Sequence, residues 1–255
     1  MRIIGGDARG RTIVAPAGAK TRPTQDYVRE SLFNIIRWDV EDARVLDLFA
    51  GTGALSLEAL SRGARSAVLV DMDRAAGAAI RKNMETSRLS EKCRLIPRDY
   101  HAAMDALAAE GARFDLVFID PPYKMENTGE MCAALYDKGL LAEAFLLVVE
   151  HRKGRAPMLD ARFEAFDLRH YGDTEITFVR RAQQAVGRVL LALEIQDAVD
   201  HVLEHLRPGD RALLVDVADD EHRHAAALGI LHQAHRAVAD LRDAAGRGRL
   251  VLRVE

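Results

Sequence analysis

Between residues 44 and 151 the chain alternates short apolar, β-branched runs with stretches of helical pattern, and this constrains its fold more than any other feature. The runs are RVLDLFAG (44–51), SAVLVD (66–71), CRLIPRD (93–99), FDLVFID (114–120) and AFLLVVEH (144–151), with helix-like segments at 54–62, 74–88 and 101–110 between them. Strands that are apolar along nearly their whole length must be covered on both faces, which a parallel sheet with crossover helices achieves. The expected class is therefore α/β, a doubly wound, mostly parallel sheet. FEAFDLRHY (163–171) and TEITFVRR (174–181) flank the turn-prone Gly172-Asp173 and predict an antiparallel hairpin on the sheet edge, seven strands in all.

Apolar residues make up 49% of the chain, enough to fill a core. No run approaches the roughly 18 apolar residues of a membrane span, and MRIIGGDARGR lacks the apolar stretch of a signal peptide. Cys93 and Cys132 stand alone, without pairing or metal spacing, as suits a reducing cytoplasm. A secreted disulfide scaffold, a membrane protein and a cysteine-built zinc domain are excluded as expectations, and no metal is expected.

Ahead of the sheet, residues 2–22 carry Arg2, Arg9, Arg11, Lys20 and Arg22 against Asp7 alone. Residues 1–23 read as a basic arm, either solvated or gripping a polyanion. Thr24 can cap a following helix whose apolar face is Val28, Leu32, Ile35 and Ile36, with Asp26 in its first turn.

LDLFAGTGALSLEAL opens the first βα unit. Gly51 and Gly53 permit a tight turn and close approach of a ligand at the carboxyl end of the first strand. Ser56 stands where a dinucleotide fingerprint requires its third glycine, which weakens a nicotinamide reading. Asp47 lies within the first strand, and Asp71 ends the second, where an acid can accept both hydroxyls of a ribose. Order and spacing point to an adenosyl ligand. Asp120-Pro121-Pro122-Tyr123 follows directly on the fourth strand. Consecutive prolines make a rigid turn, but a turn alone needs neither the acid before them nor the aromatic after them. A base's exocyclic amine is a poor nucleophile because its lone pair is delocalised into the ring. A carboxylate and a backbone carbonyl can orient its two N–H bonds, while an aromatic ring stacks on the base, worth ~1–3 kcal/mol. Glu150-His151 ends the fifth strand and reads as a polar terminus. No general base is needed, because the attacking nitrogen becomes acidic as a methyl group is transferred to it.

RIIGGDARGR, RPTQDYVRESLFNII, LDLFAGTGALSLEALSRGA, VDMDR and FIDPPY, in that order, resemble the family of bacterial 16S rRNA guanine-N2 methyltransferases, ribosomal small-subunit methyltransferase D. The resemblance covers residues 1–181. It implies a Rossmann-like fold that binds S-adenosylmethionine (SAM), with the domain at 24–181. Asp47, Gly51 and Gly53 would then line the methionine side of the cofactor, Asp71 would hold the ribose, and Met72 would lie against the adenine with Asp99 accepting from its amino group. Asp120, Pro121, Pro122 and Tyr123 would present the guanine amine. Arg2, Arg9, Arg11, Arg22 and Arg29 would grip phosphates of 16S rRNA, naked or in an assembling small subunit. A monomeric cytoplasmic enzyme is implied. Two other readings keep the fold: methylation of adenine N6 in DNA, and a catalytically silent RNA-binding module.

Residues 179–255 contain no Ser, Thr, Asn, Lys, Met, Phe, Tyr, Trp or Cys, of which the preceding 178 residues hold 46. Such a bias arises when the GC-rich third codon position of one gene is read as the first position of another. Residues 182–255 are therefore an extension of uncertain fold, and the leading expectation is a frameshift or read-through tail. The opposing one is an appended module: Val186, Val189, Leu190, Leu193, Val199, Val202, Leu203 and Leu206 have helical spacing that ends at Pro208-Gly209, and a strand follows at 211–220. His222, His224, His232 and His235 lack the spacing of a metal site.

Overall fold

The computed structural model describes residues 1–16, 26–122, 124–125 and 127–182. The chain divides into two units, Met1–Gln183 and Gln184–Glu255, and every described residue belongs to the first. Thr24, Tyr123 and all expectations for the extension lie outside the described residues.

The apolar runs are strands, as expected: β1 Arg44–Asp47, β2 Ser66–Val70, β3 Cys93–Ile96, β4 Phe114–Ile119, β5 Leu141–Arg152, β6 Phe163–Tyr171 and β7 Thr174–Arg181. They form one sheet in the order β3-β2-β1-β4-β5-β7-β6. The first five are parallel, and β7 inserts antiparallel between β5 and β6. The helices are α1 Asp26–Ile35, α2 Arg37–Val40, α3 Ala54–Ser61, α4 Arg74–Ser87, α5 Tyr100–Ala109 and α6 Thr128–Asp137. Asp73 caps α4 by accepting from the Ala76 N–H at 2.8 Å. None of the described helices is long and apolar enough to cross a membrane.

Both faces of the sheet are covered, which explains the unbroken apolar strands. Leu46, Val117, Ile119, Leu147 and Val149 point into one core with Met104, Leu107 and Leu135. Val45, Leu69, Leu116, Phe118 and Val148 point into the other with Leu32, Phe33, Leu60 and Ile80.

The N-terminal residues are not a free arm. Met1–Ile13 folds back on itself, with the Ile3 N–H donating to Arg11 O and the Ile13 N–H to Met1 O, and with a bridge between Arg2 and Thr12. Ile3, Ala8 and Ile13 are buried against Ala54 and Leu57, each isoleucine contributing about 1.5–3 kcal/mol. Ile3 and Ala8 stand directly beside Arg2 and Arg9, and Ile13 two residues after Arg11, so charge and anchor share one short segment. Glu58 on α3 is fully buried and accepts the Ile4 and Gly5 N–H groups at 2.7 and 2.8 Å, together with Arg62 Nε at 2.7 Å. Gly6 is required where the turn passes α3: it has φ +72°, and a Cβ there would stand 1.7 Å from Ser61 O.

Candidate active site

The carboxyl ends of β1, β2 and β4 converge where neighbouring strands part toward opposite faces, the usual position of a ligand crevice in such sheets. The loop after β1 is held between its neighbours: the Leu48 N–H donates to Phe118 O at 3.1 Å, and the Ala50 N–H to Val70 O at 2.9 Å. Gly51 and Gly53 then take left-handed conformations, φ +54° and +76°. A Cβ on Gly53 would meet Leu69 Cδ2 at 2.9 Å, whereas one on Gly51 would meet open space apart from Phe49 O at 3.9 Å. Gly53 thus lets the loop close on the sheet, and Gly51 leaves the approach clear. The first-turn amides of α3 follow directly, an end that favours negative charge.

Asp71 braces this loop. Its Oδ2 accepts the Gly51 N–H at 2.8 Å and its Oδ1 accepts the Asp73 N–H at 2.8 Å. Met72 beside it is 72% exposed, an apolar surface left uncovered. Asp99 is exposed at the start of α5, with Oδ1 accepting the His101 N–H at 2.9 Å. Asp47 is buried and accepts from Ser56 Oγ at 3.0 Å, which gives the residue in the third-glycine position a task of its own. Burial pushes the Asp47 carboxyl up to about 7 against the pull of Ser56, with Asp120 and Asp71 adding to the rise.

Asp120 is half-buried at the end of β4, Pro121 is buried and Pro122 exposed. Burial raises the Asp120 carboxyl well above the ordinary range. Asp47, Asp71 and Asp120 form no ion pair among the described residues. Asp47 and Asp71, beside the glycine loop and without a cation among the described residues, suit a ligand that brings positive charge. SAM does so twice, through its sulfonium and its ammonium, and the residues present fit it. Burial pushes the Cys93 and Cys132 thiols up to about 12, so neither is a ready nucleophile. Among the described residues no group of three or more His, Cys, Asp or Glu side chains is arranged to hold a metal.

The basic residues separate. Arg2 and Arg9 are exposed. Arg11 is half-buried and donates to Ser87 O, and Arg22 lies outside the described residues. The expectation for Arg29 is corrected: its side chain is fully buried, donates to Arg2 O and to Asp26 Oδ1 at 3.1 Å, and lies 3.9 Å from Glu58. It has no surface to offer a phosphate. The motif around it drew attention to Arg29, but its position one residue after Val28 on a buried helix face already assigned it inward.

Several contributors carry no motif. Asn83 on α4 is buried; its amide donates to Val14 O and Thr52 O at 2.9 Å each, and its carbonyl accepts the Val14 N–H at 2.8 Å. It ties the N-terminal segment to the glycine loop. Glu150 lines a cleft next to Asp120 with Pro121, Met125, Thr128 and His151. His151 is buried, its Nε2 2.7 Å from Thr177 Oγ1 and its Nδ1 2.9 Å from Arg152 O, which explains a histidine at this strand end.

The family described as Conserved hypothetical protein 95 matches residues 1–180. Ribosomal RNA small subunit methyltransferase D of Escherichia coli K12 is 43% identical over 150 residues, 59% of this chain and 74% of that protein. The protein of the same name from Haemophilus influenzae is 32% identical over 158 residues, 61% of this chain and 80% of its own. A solved structure from Escherichia coli is 38% identical with a TM-score of 0.64, covering 72% of this chain and 99% of that one.

Proposed function

Because the chain belongs to the family of Conserved hypothetical protein 95 and ribosomal small-subunit methyltransferase D, we propose that it methylates the exocyclic N2 amine of a guanine in 16S rRNA. It is a SAM-dependent rRNA methyltransferase with a Rossmann-like fold, and we read the cytoplasm as its place of action. The observation that carries the finer reading is Asp120, leading into consecutive prolines at the end of β4 beside the glycine loop.

SAM supplies an electrophilic methyl group when bound. Asp71 would hold the ribose, Gly51 and Gly53 would line the methionine side, and the negative surroundings of Asp47 would receive the ammonium. Asp120 accepts one N–H of the target amine, and the Pro121 carbonyl is a second acceptor for it. Tyr123 is proposed to stack on the base. Orienting both N–H bonds directs the nitrogen lone pair at the methyl donor, which a freely rotating base does not achieve.

The test is to incubate small subunits lacking this modification and, in parallel, unmethylated DNA with methyl-labelled SAM, and to digest the nucleic acids. Label is expected in N2-methylguanosine of 16S rRNA. Label in DNA adenine, or none, overturns the reading.

Two variants separate the binding roles. Asp71→Ala is expected to weaken affinity for the demethylated cofactor about 10–150-fold by calorimetry, the range for a lost hydrogen bond to a charged group. Turnover at saturating SAM should change far less. Arg9→Glu should leave that affinity intact, weaken RNA binding, and make the slope of log affinity against log salt shallower by about 1. An unchanged slope would remove Arg9 from the RNA contact.

A further inference from the structure

β4 and β5 run parallel with Ile119 opposite Val149. The next residues, Asp120 directly after β4 and Glu150 still within β5, therefore stand side by side and on the same face. Glu150 lines the cleft behind Pro121 together with Met125, Thr128, His151 and Arg155. A second polar group faces the same cleft: Thr128 is 2% exposed, and its Oγ1 has no hydrogen-bond partner among the described residues. A buried hydroxyl left unpaired is uncommon. It gains a partner here from whatever enters the cleft.

We propose that Glu150 is a base-recognition residue of this cleft, its carboxyl pairing with the O6 and N1–H groups of the target guanine while Asp120 takes the N2 amine. This rests on the guanine-N2 reading above. The base offers an acceptor and two donor positions in a row along one edge. A neutral carboxyl donates its O–H to O6 and accepts N1–H through its carbonyl, closing a two-bond ring, and an ionised carboxylate beside it accepts N2–H. The pair favours that division of charge. Burial raises Glu150, and the charge of Asp120 raises it further, because two neighbouring carboxylates resist ionising together. The other charged or titratable groups near Glu150 are Arg152 and Arg155 on the cleft wall, His151 beside it and Asp47 beyond Asp120. Glu175 on β7 stands 3.8 Å from His151 and 2.8 Å from His170 on β6.

Glu150→Gln keeps an acceptor and a donor on the same plane without titrating, whereas Glu150→Ala removes both. Single-turnover methylation of 16S rRNA is measured from about pH 6 to about pH 8.5, spanning the raised range of Glu150 while the guanine N1–H stays protonated. The wild type should lose kcat/KM as Glu150 ionises. Glu150→Gln should stay near wild-type activity at the acid end and lack that alkaline fall, and Glu150→Ala should be slower about 5–150-fold, the range of one bidentate base contact. A second readout replaces the target guanine by 2-aminopurine, which keeps the N2 amine but has neither O6 nor N1–H. That change should slow the wild type strongly and Glu150→Ala little further. An equal penalty in both proteins, or an alkaline fall that persists in Glu150→Gln, overturns the proposal. If Glu150→Ala has lost cofactor affinity or its cooperative melt, the comparison of wild type with Glu150→Gln decides. A wild type inactive on guanine fails the functional reading itself.

Discussion

Replacing Asp120 with alanine is expected to lower methyl transfer about 10²–10³-fold while leaving cofactor affinity nearly unchanged. The contact it makes matters most as positive charge develops on the attacking nitrogen, so its loss should fall on kcat more than on KM. The side chain lies beyond the glycine loop and bonds none of it, which separates it from Asp71, the acceptor of the Gly51 N–H. Single-turnover transfer with labelled SAM, paired with calorimetry on the demethylated product, measures both quantities. Near-normal transfer in the variant would remove Asp120 from the chemistry.

Glu58→Ala is expected to destabilise the fold by about 3–5 kcal/mol, the cost of breaking a buried ion pair. The alanine leaves the fully buried Arg29 guanidinium with Asp26 as its one remaining carboxylate among the described residues, and removes the acceptor of two backbone N–H groups and of Arg62. Burial already holds the Arg29 guanidinium below its ordinary range, with Asp26 and Glu58 opposing the fall. Urea unfolding of the variant checks the figure, and a change below about 1 kcal/mol, the value of an exposed pair, would mean the cluster is solvated. Methylation should fall as well, since the anchored segment reaches the glycine loop through Val14, Asn83 and Thr52.

The sheet and the crevice were legible because each needs a pattern written along the chain. Two-sided burial requires unbroken apolar strands, and a sharp turn against Leu69 requires glycine at position 53. Asp47, Asp71 and Asp120 were legible because each closes or interrupts a strand with a charge. Glu58, Asn83 and Glu150 were not. Each is a polar residue on a helix or strand whose partner lies across the fold, 54 residues away for the Ile4–Glu58 bond and 69 for Val14–Asn83. Local pattern records that such a residue is polar, not that a buried backbone N–H waits for it. α6 escaped notice for a related reason: Thr128–Asp137 follows the Pro-Pro turn so closely that the turn masks its start. The basic N-terminal segment misled in the opposite direction, since its charges suggest solvent while Ile3, Ala8 and Ile13 hold it down.

The place of β7 in the strand order bears on how the molecule is made. It is the last of these seven strands to leave the ribosome, yet it fills an interior position between β5 and β6. Until it arrives, one side of β5 displays unpaired N–H and C=O groups along Leu147–Arg152, flanked by apolar side chains, and β6 has nothing to pair with. Such an edge readily recruits strands from other chains. At roughly 5–20 residues per second, translation keeps it open for a second or more after β5 emerges. A nascent chain that stalls between Arg152 and Thr174 is therefore a sticky intermediate rather than a smaller enzyme, and the last eight residues of the sheet act as its closing seam.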